Sequence, residues 1–483
     1  IQSYANHDSG ASILKFGKNV KTEIIAISEE RLLRKKYPYT FPILSILYCM
    51  NHFKIKRFNR IDLIVSDWIR KKRWLRSGPT YNYQEFDYIK EKLNFDKKKI
   101  IQIDHHLAHA ASTYYTSEFN NSAILIVDGN GSDIETNSYF YGKKNNIEFI
   151  SRYKNHGIGA AYGAVTKEIL NLGTGGEGKT MGLAPYGNFD KRIKIPYSIK
   201  GIKTDFSNFM LRMPYSDLLN HINPNHRLDV IKNKITKANK LNITSKKYAN
   251  WAYMIQDVAE KMMAMLGKDI FLKTKSKNIC LAGGVALNSV ANEILFKKNK
   301  FKDIFIFPAC ADAGIPYGLC LWAYHNIYKK QNRIKFQNAY TGKLYSQKHI
   351  KKLLNQYRIR FRKTNYKEIA KLISEGNVIG NFHGKSEYGP RALGNRSILA
   401  DARKKEMRDH INKNIKHRET YRPFAPAILE DLSLKYFFIK KSPFMLRVTK
   451  CKKKKIIPSA IHVDGTARLQ TVNKKQTLLL YLP

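Results

Sequence analysis

The sequence predicts an α/β chain in two parts, and three observations carry that reading. Apolar strands alternate with stretches of helical spacing along most of the chain. Turns of the type Asp-x-Gly or Asp-Gly recur at strand ends, at His7-Asp8-Ser9-Gly10 and again at Asp128-Gly129-Asn130-Gly131. With 483 residues the chain is also too long for one core, and a polar stretch without period, Gln331 to Tyr345, marks a boundary. The expected parts are 1–335 and 340–483, with 189–245 as an insertion or lid.

The elements follow in order. Ile1 to Ala5 reads as a strand already under way, so the natural start is expected to lie upstream. Ser12–Phe16 and Thr22–Ser28 alternate like paired strands around Gly17-Lys18-Asn19. Phe41 to Phe53 is spaced as an amphipathic helix and Ile61 to Val65 as a buried strand; a charged connection then runs from Trp68 to Lys99. Strands are expected at Ala123–Val127, Thr136–Tyr141 and Ile147–Tyr153, and a helix at Ala160–Leu172. Trp251–Leu272 is spaced as a long helix with Met262, Met263 and Met265 in the core. Two β–loop–α units come next, built on the strands Asn278–Leu281 and Ile304–Phe307. Two halves that each open on strands with such a turn form the pattern of a duplicated actin/hexokinase-like nucleotide fold.

Composition narrows the function classes. The net charge of +48 is mostly scattered lysine, with no RNA-binding motif and no spaced aromatic–arginine platform. A nucleic-acid partner is therefore disfavoured, and small anionic substrates fit. No run of about 18 apolar residues exists to cross a membrane. The five cysteines form no CxxC pair, which points to reduced thiols and the cytoplasm.

The stretch from Ile100 to Gly131 carries the densest chemistry of the first part. Three histidines fall within five residues. On a helix His105 and His109 are i, i+4 neighbours and His106 and His109 are i, i+3, so either pair can converge on one ion. Two imidazoles suit a first-row divalent metal, which still needs a carboxylate from elsewhere. Asp128, Gly129 and Gly131 end a strand as a phosphate loop does, and Asp8 and Gly10 repeat that placement. Gly283 and Gly284 let backbone lie close to a ligand. Asp312 reads as a helix cap on its own residues. Gly173 to Thr180 matches the letters of a P-loop. That motif must follow a strand and open a helix, and here helical spacing precedes it while Gly and Pro follow, so the P-loop is refused. Lys179 remains a candidate for an anion.

In the last part a strand at Val378–Phe382 feeds His383 to Arg403, and a helix follows with Met407, Ile411 and Ile415 facing inward. Arg391, Arg396, Arg418 and Arg422, with Ser397, form an oxyanion-binding set interleaved with Gly389 and Gly394. With these residues in view the chain resembles the O-carbamoyltransferase family, which includes nodulation-factor and tobramycin-type carbamoyltransferases. The resemblance rests on His7-Asp8-Ser9-Gly10, Glu29-Glu30-Arg31, His105–His109, Asp128-Gly129, Gly176–Gly187, Leu281–Asn288, Asp312-Ala313-Gly314, Ser386–Asp401, Arg422–Pro426 and His462–Val472.

The resemblance implies an actin-like domain followed by a smaller adenylate-forming (YrdC-like) one. It implies ATP and carbamoyl phosphate as co-substrates, a carbamoyl-adenylate, and transfer to a small-molecule hydroxyl. By position it implies an iron-type divalent metal on His105, His109 and Asp312, with Arg391, Arg396, Ser397, Arg418 and Arg422 at the phosphates. Lys179 and Arg391 join the catalytic candidates. Asp8, Gly10, Asp128, Gly129, Gly131, Gly283, Gly284 and Asn288 fall on the nucleotide side, and the general base is left between His7 and His106. A homodimer is compatible with it. His383, Lys385 and Ala402 depart from the family pattern without removing its chemistry. The tail from Asn473 to Pro483 departs more, and a truncated C-terminus is expected. The alternatives are a basic protein of tRNA threonylcarbamoylation and an inactive paralogue.

Overall fold

A computed structural model describes residues 8–38, 40–67, 99–132, 134–211, 245–336 and 338–473. Its contacts divide the chain into Ile1–Phe336 and Gln337–Pro483. His7, most of the Trp68–Lys99 connection, the middle of the expected insertion and the tail after Asn473 lie outside the described residues.

The first unit opens on β1 (Gly10–Gly17) and β2 (Val20–Ser28), antiparallel from Gly10↔Ser28 to Gly17↔Val20. Glu29, at the end of β2, is 1% exposed and, past a single helical turn at Glu30–Leu33, spends its carboxylate on α1 (Ile43–His52). It accepts from the Leu44 and Ser45 amides at 3.0 and 2.8 Å, groups that a helix start leaves without partners. β3 (Ile64–Ser66) then pairs in parallel with β4 (Ile100–Gln102).

β4 leads into α2 (His105–Tyr114), capped by Asp104, whose carboxylate accepts from the Leu107 amide at 2.9 Å. The same carboxylate takes both guanidinium nitrogens of Arg152, at 2.7 and 2.8 Å. β5 (Asn121–Val127), β6 (Glu135–Lys143) and β7 (Asn146–Lys154) form an antiparallel meander. After α3 (Ile158–Ala164), which runs on into a wider turn at Val165–Ile169, comes the seven-residue helix α4 (Glu177–Leu183). A small hairpin, β8 (Ser198–Lys200) and β9 (Lys203–Asp205), precedes α5 (Lys246–Thr274). β10 (Asn278–Ala282), α6 (Ser289–Lys298), β11 (Asp303–Ile306) and α7 (Ile315–Asn326) complete two parallel β–loop–α units.

The resulting sheet runs β11-β10-β5-β6-β7. Counted within that half, it is a three-stranded meander extended by two parallel strands in the order 5-4-1-2-3, the arrangement of an actin/hexokinase-like half. β5 is fully apolar from Ala123 to Val127, as a strand covered on both faces must be. α7 packs on α2 at Gly318, where a Cβ would lie 2.1 Å from the Ala108 carbonyl oxygen. Val65, Ile103, Ala108, Ile315 and Leu319 close the core under α2.

Three expectations need correction. Met262 and Met263 are buried, but Met265 is 45% exposed because α5 turns that face outward. Ile415 is 38% exposed, since the turn Met407–His410 passes into a wider-pitched segment, Ile411–Ile415, and the helical register slips. The Gly and Pro after Lys179 do not prevent a helix there; they keep it to α4 and one tighter turn at Ala184–Tyr186. A helical segment precedes that loop, so the P-loop context is indeed absent.

The second unit carries two surface helices, α8 (Gln347–Gln356) and α9 (Tyr366–Ser374). β12 (Ile379–Phe382) pairs antiparallel with β13 (Arg396–Leu399), and β14 (Ala427–Leu429) pairs in parallel with a later strand. The remaining strands are β15 (Thr449–Lys450), β16 (Thr466–Ala467) and β17 (Gln470–Val472), the last being the partner of β14. Phe437, Cys451, Ala467 and Leu469 form a core here. Among the described residues no helix is long and apolar enough to cross a membrane.

Candidate active site

In the first unit four buried side chains converge: His105 and His109 from α2, Asp128 from the end of β5 and Asp312 from the turn before α7. One ligand-type atom from each lies within 4.8 Å of the others. His109 Nε2 is 3.2 Å from Asp128 Oδ2 and 3.4 Å from Asp312 Oδ1. His105 Nε2 is 3.4 and 3.6 Å from the same two atoms. Helical spacing puts the histidines one turn apart on one face, and the sheet brings both acids to its carboxyl edge.

Two glycines fix Asp128. Its Oδ1 accepts from its neighbour's amide on Gly129 at 2.7 Å and from Gly284 at 2.9 Å. Gly283 holds φ +91°, and a Cβ there would lie 2.3 Å from the Val127 carbonyl oxygen, so only glycine lets β10 turn this close to β5.

Burial opposes charge on both histidines, yet the carboxylates prevail. His105 is raised well above its ordinary value by Asp128, Asp67 and Asp312, and His109 is raised by Asp128 and Asp312. Burial also opposes charge on Asp128, but the hydrogen bonds of His105 and His109 hold it well below the usual carboxylate range. Two imidazole nitrogens and two carboxylate oxygens, facing one another in a buried pocket, are a donor set that fits a first-row divalent cation.

His106 separates from its neighbours. It is fully buried, its Nδ1 is 2.7 Å from Ser138 Oγ, and burial followed by the His105 charge lowers it well below its ordinary value. Of the two converging pairs the spacing allowed, the structure brings together His105 and His109. Asp312 faces the histidines, and the cap position of its turn is Ala311.

Several other candidates prove committed within the protein. The Gly131 amide donates to the Glu135 carbonyl and the Gly283 amide to Cys310, both at 2.8 Å. Asn288 caps α6 by accepting from the Ala291 amide at 3.0 Å and donates to Gln256 at 2.9 Å. Gly10 is a strand residue opposite Ser28, while Asp8 sits half-buried before β1 with φ +65°. Lys179 is half-buried on α4.

The second unit gathers arginines. Glu387, 2% exposed, accepts from the amides of Leu393, Asn395 and Arg396 at 2.9, 2.9 and 3.0 Å, which folds the glycine-rich loop around one carboxylate oxygen. Within that loop Arg396 engages the protein itself. Its guanidinium lies 3.6 Å over the Phe382 ring and donates to the carbonyls of His383, Gly384 and Lys343. Ser397 Oγ accepts from the Gly394 amide at 2.9 Å. Both residues brace the loop in this conformation.

Arg391, Arg418 and Arg422 gather around a fourth arginine, Arg468. Burial lowers Arg468 well below the ordinary arginine value, and the charges of Arg391, Arg422 and Arg418 push it further; among the described residues its buried Nε has no hydrogen-bond partner. Arg418 is pushed down to about 10 by burial and then by Arg422, while Glu419 stands 3.6 Å from Arg422. Cations crowded and half-desolvated in this way are a site that an anion completes. Arg468 lies in the Thr-Ala-Arg-Leu run before β17; the signal for it was an arginine inside a matched motif. Asp128 as a fourth metal-type donor was visible only as a loop carboxylate, and Asp67 gave no signal.

The geometry defines a two-unit α/β protein with a buried cation-type centre in an actin-like unit and an arginine cluster of phosphate-binding type in a smaller one. Residues 80–321 match the model for the carbamoyltransferase N-terminus, and residues 370–482 match that for the carbamoyltransferase C-terminus. The nodulation protein NolNO of Sinorhizobium fredii is 30% identical over 97% of this chain and 70% of its own length. The uncharacterized protein sll1178 of Synechocystis is 30% identical over 97% of this chain and 85% of its own. The HypF structure of T. kodakarensis superposes with a TM-score of 0.37 at 14% identity, covering 67% of this chain and 49% of that one. The chain belongs to the carbamoyltransferase family, and its activity is carbamoyl transfer.

Proposed function

We propose that the protein forms carbamoyl-adenylate from carbamoyl phosphate and ATP and passes the carbamoyl group to a hydroxyl of a sugar or secondary metabolite. Water releases phosphate from carbamoyl phosphate and leaves carbamate. A carbamate oxygen then bonds the α-phosphorus of ATP, and pyrophosphate departs. Finally the acceptor oxygen bonds the carbamoyl carbon, AMP departs with the electron pair of the broken C–O bond, and the acceptor proton goes to a base.

The observation that supports this reading most is the gathering of Arg391, Arg418 and Arg422 around the buried Arg468, a concentration of positive charge that suits a polyanion. Guanidiniums there stabilise charge as phosphate and pyrophosphate leave, with Arg391 carried on the loop that Glu387 organises. In the other unit His105, His109, Asp128 and Asp312 would hold a divalent ion of the iron type. When bound, such an ion supplies Lewis-acid polarisation of an oxygen. Around it the apolar β5 and α7 exclude water, and Gly129 and Gly284 hold Asp128 in place. The full burial of His106 sets it against α2 and Ser138 as a brace and leaves His7 as the candidate base.

Purified protein given ATP and carbamoyl phosphate should release both phosphate and pyrophosphate. Pyrophosphate release should vanish when carbamoyl phosphate is omitted. ATP cleavage to ADP, or release that ignores carbamoyl phosphate, would rule the adenylate out.

A further inference from the structure

The two imidazoles of the His–Asp centre are not equivalent. Each turns Nε2 towards Asp128 and Asp312, but their outer nitrogens differ. His105 Nδ1 lies 2.8 Å from Asp67 Oδ2, whereas His109 Nδ1 is buried without a hydrogen-bond partner among the described residues. Asp67 is 1% exposed, and its other oxygen, Oδ1, is also buried without one.

The strands explain how that carboxylate arrives there. β3 and β4 run in parallel with Ser66 opposite Gln102, and the Ile103 amide donates to the Ser66 carbonyl at 2.9 Å. The two strands therefore end side by side. One goes on to His105 at the start of α2, while the other delivers Asp67 beside that histidine.

We propose that Asp67 is a positioning residue for the metal centre, an inference that rests on reading His105, His109, Asp128 and Asp312 as that centre. A neutral imidazole can carry its proton on either nitrogen. A carboxylate at Nδ1 accepts that proton, fixes the ring plane and leaves the Nε2 lone pair directed at the ion. The benefit runs both ways. A buried carboxylate is costly unless it is hydrogen-bonded or paired, and the contact to His105 is the one the structure gives Asp67. A dication at Nε2 withdraws electron density from the ring and strengthens the Nδ1–H donor, so ion and carboxylate reinforce each other through His105. Among the described residues His109 Nδ1 has no such partner, and that ring is held by its packing and by the contacts of its Nε2.

The test uses Co2+ as probe, added to the metal-free full chain and followed by visible absorption, for the native protein, Asp67→Asn and Asp67→Ala. Loss of an outer partner of this kind costs about 10–100-fold in metal affinity, and Asp67→Ala should fall in that range. Asp67→Asn should weaken binding less, because an amide oxygen still accepts a proton. A role confined to folding would lower the unfolding temperature of the metal-free protein and leave Co2+ affinity alone; the positioning role reduces the rise in that temperature on adding Co2+. Folded variants that bind Co2+ as the native protein does overturn the proposal, and Asp67→Asn decides it if Asp67→Ala does not fold. A native protein that takes up no Co2+ defeats the reading of the centre itself, and the inference with it.

Discussion

His109→Ala should abolish binding of a divalent metal at the proposed centre, and His105→Ala should do the same, while His106→Ala keeps most of it. His109 Nε2 faces Asp128 and Asp312 at 3.2 and 3.4 Å, so its removal takes away one of four converging donors. The loss should exceed the about 10–100-fold that accompanies removal of an outer hydrogen-bonding partner. His106 instead faces Ser138, and its truncation should cost stability through a buried cavity and an unsatisfied hydroxyl. Metal analysis of the three variants, with unfolding curves alongside, separates these effects. Retention of metal by His109→Ala with loss in His106→Ala would reverse the assignment.

Arg391→Ala should abolish most carbamoyl-phosphate-dependent exchange of pyrophosphate into ATP, by about 10²–10³-fold or about 2.7–4 kcal/mol, the cost of one removed oxyanion donor. Arg391→Lys should not restore it fully, since an ammonium lacks the planar fork that meets two phosphate oxygens. Arg396→Ala should behave differently. Its guanidinium serves the carbonyls of His383, Gly384 and Lys343, so its loss should disorder the loop and lower stability together with activity. Asp312→Asn should spare exchange and impair transfer, because a neutral ligand holds a divalent cation less tightly. Full exchange in Arg391→Ala would remove the adenylate step from the arginine cluster.

Much of this was legible in the sequence because local patterns sufficed. β1, β2, β5 and α1 follow from period and turn chemistry, and the convergence of His105 with His109 follows from a helix turn. Partners brought by sheet order were not legible. Asp67 lies 38 residues before His105, and nothing in its neighbourhood says that β3 will end beside β4. The bracing contacts of Arg396 were not legible for a related reason. An arginine in a glycine-rich run binds phosphate or braces the run, and only the Phe382 ring and three carbonyls decide between them. Gly283 and Gly284 were read as open to a ligand, whereas their amides serve Cys310 and Asp128.

On the proposed route the carbamoyl group travels as a mixed anhydride with AMP. Carbamoyl phosphate labelled with 18O on its carbamoyl oxygens tests it directly, with mass spectrometry of the AMP formed during turnover. Carbamate attack on the α-phosphorus, followed by cleavage at the carbamoyl carbon, should leave one labelled oxygen in the AMP phosphate. AMP without label, or carbamoylated product formed with no AMP at all, would contradict the account.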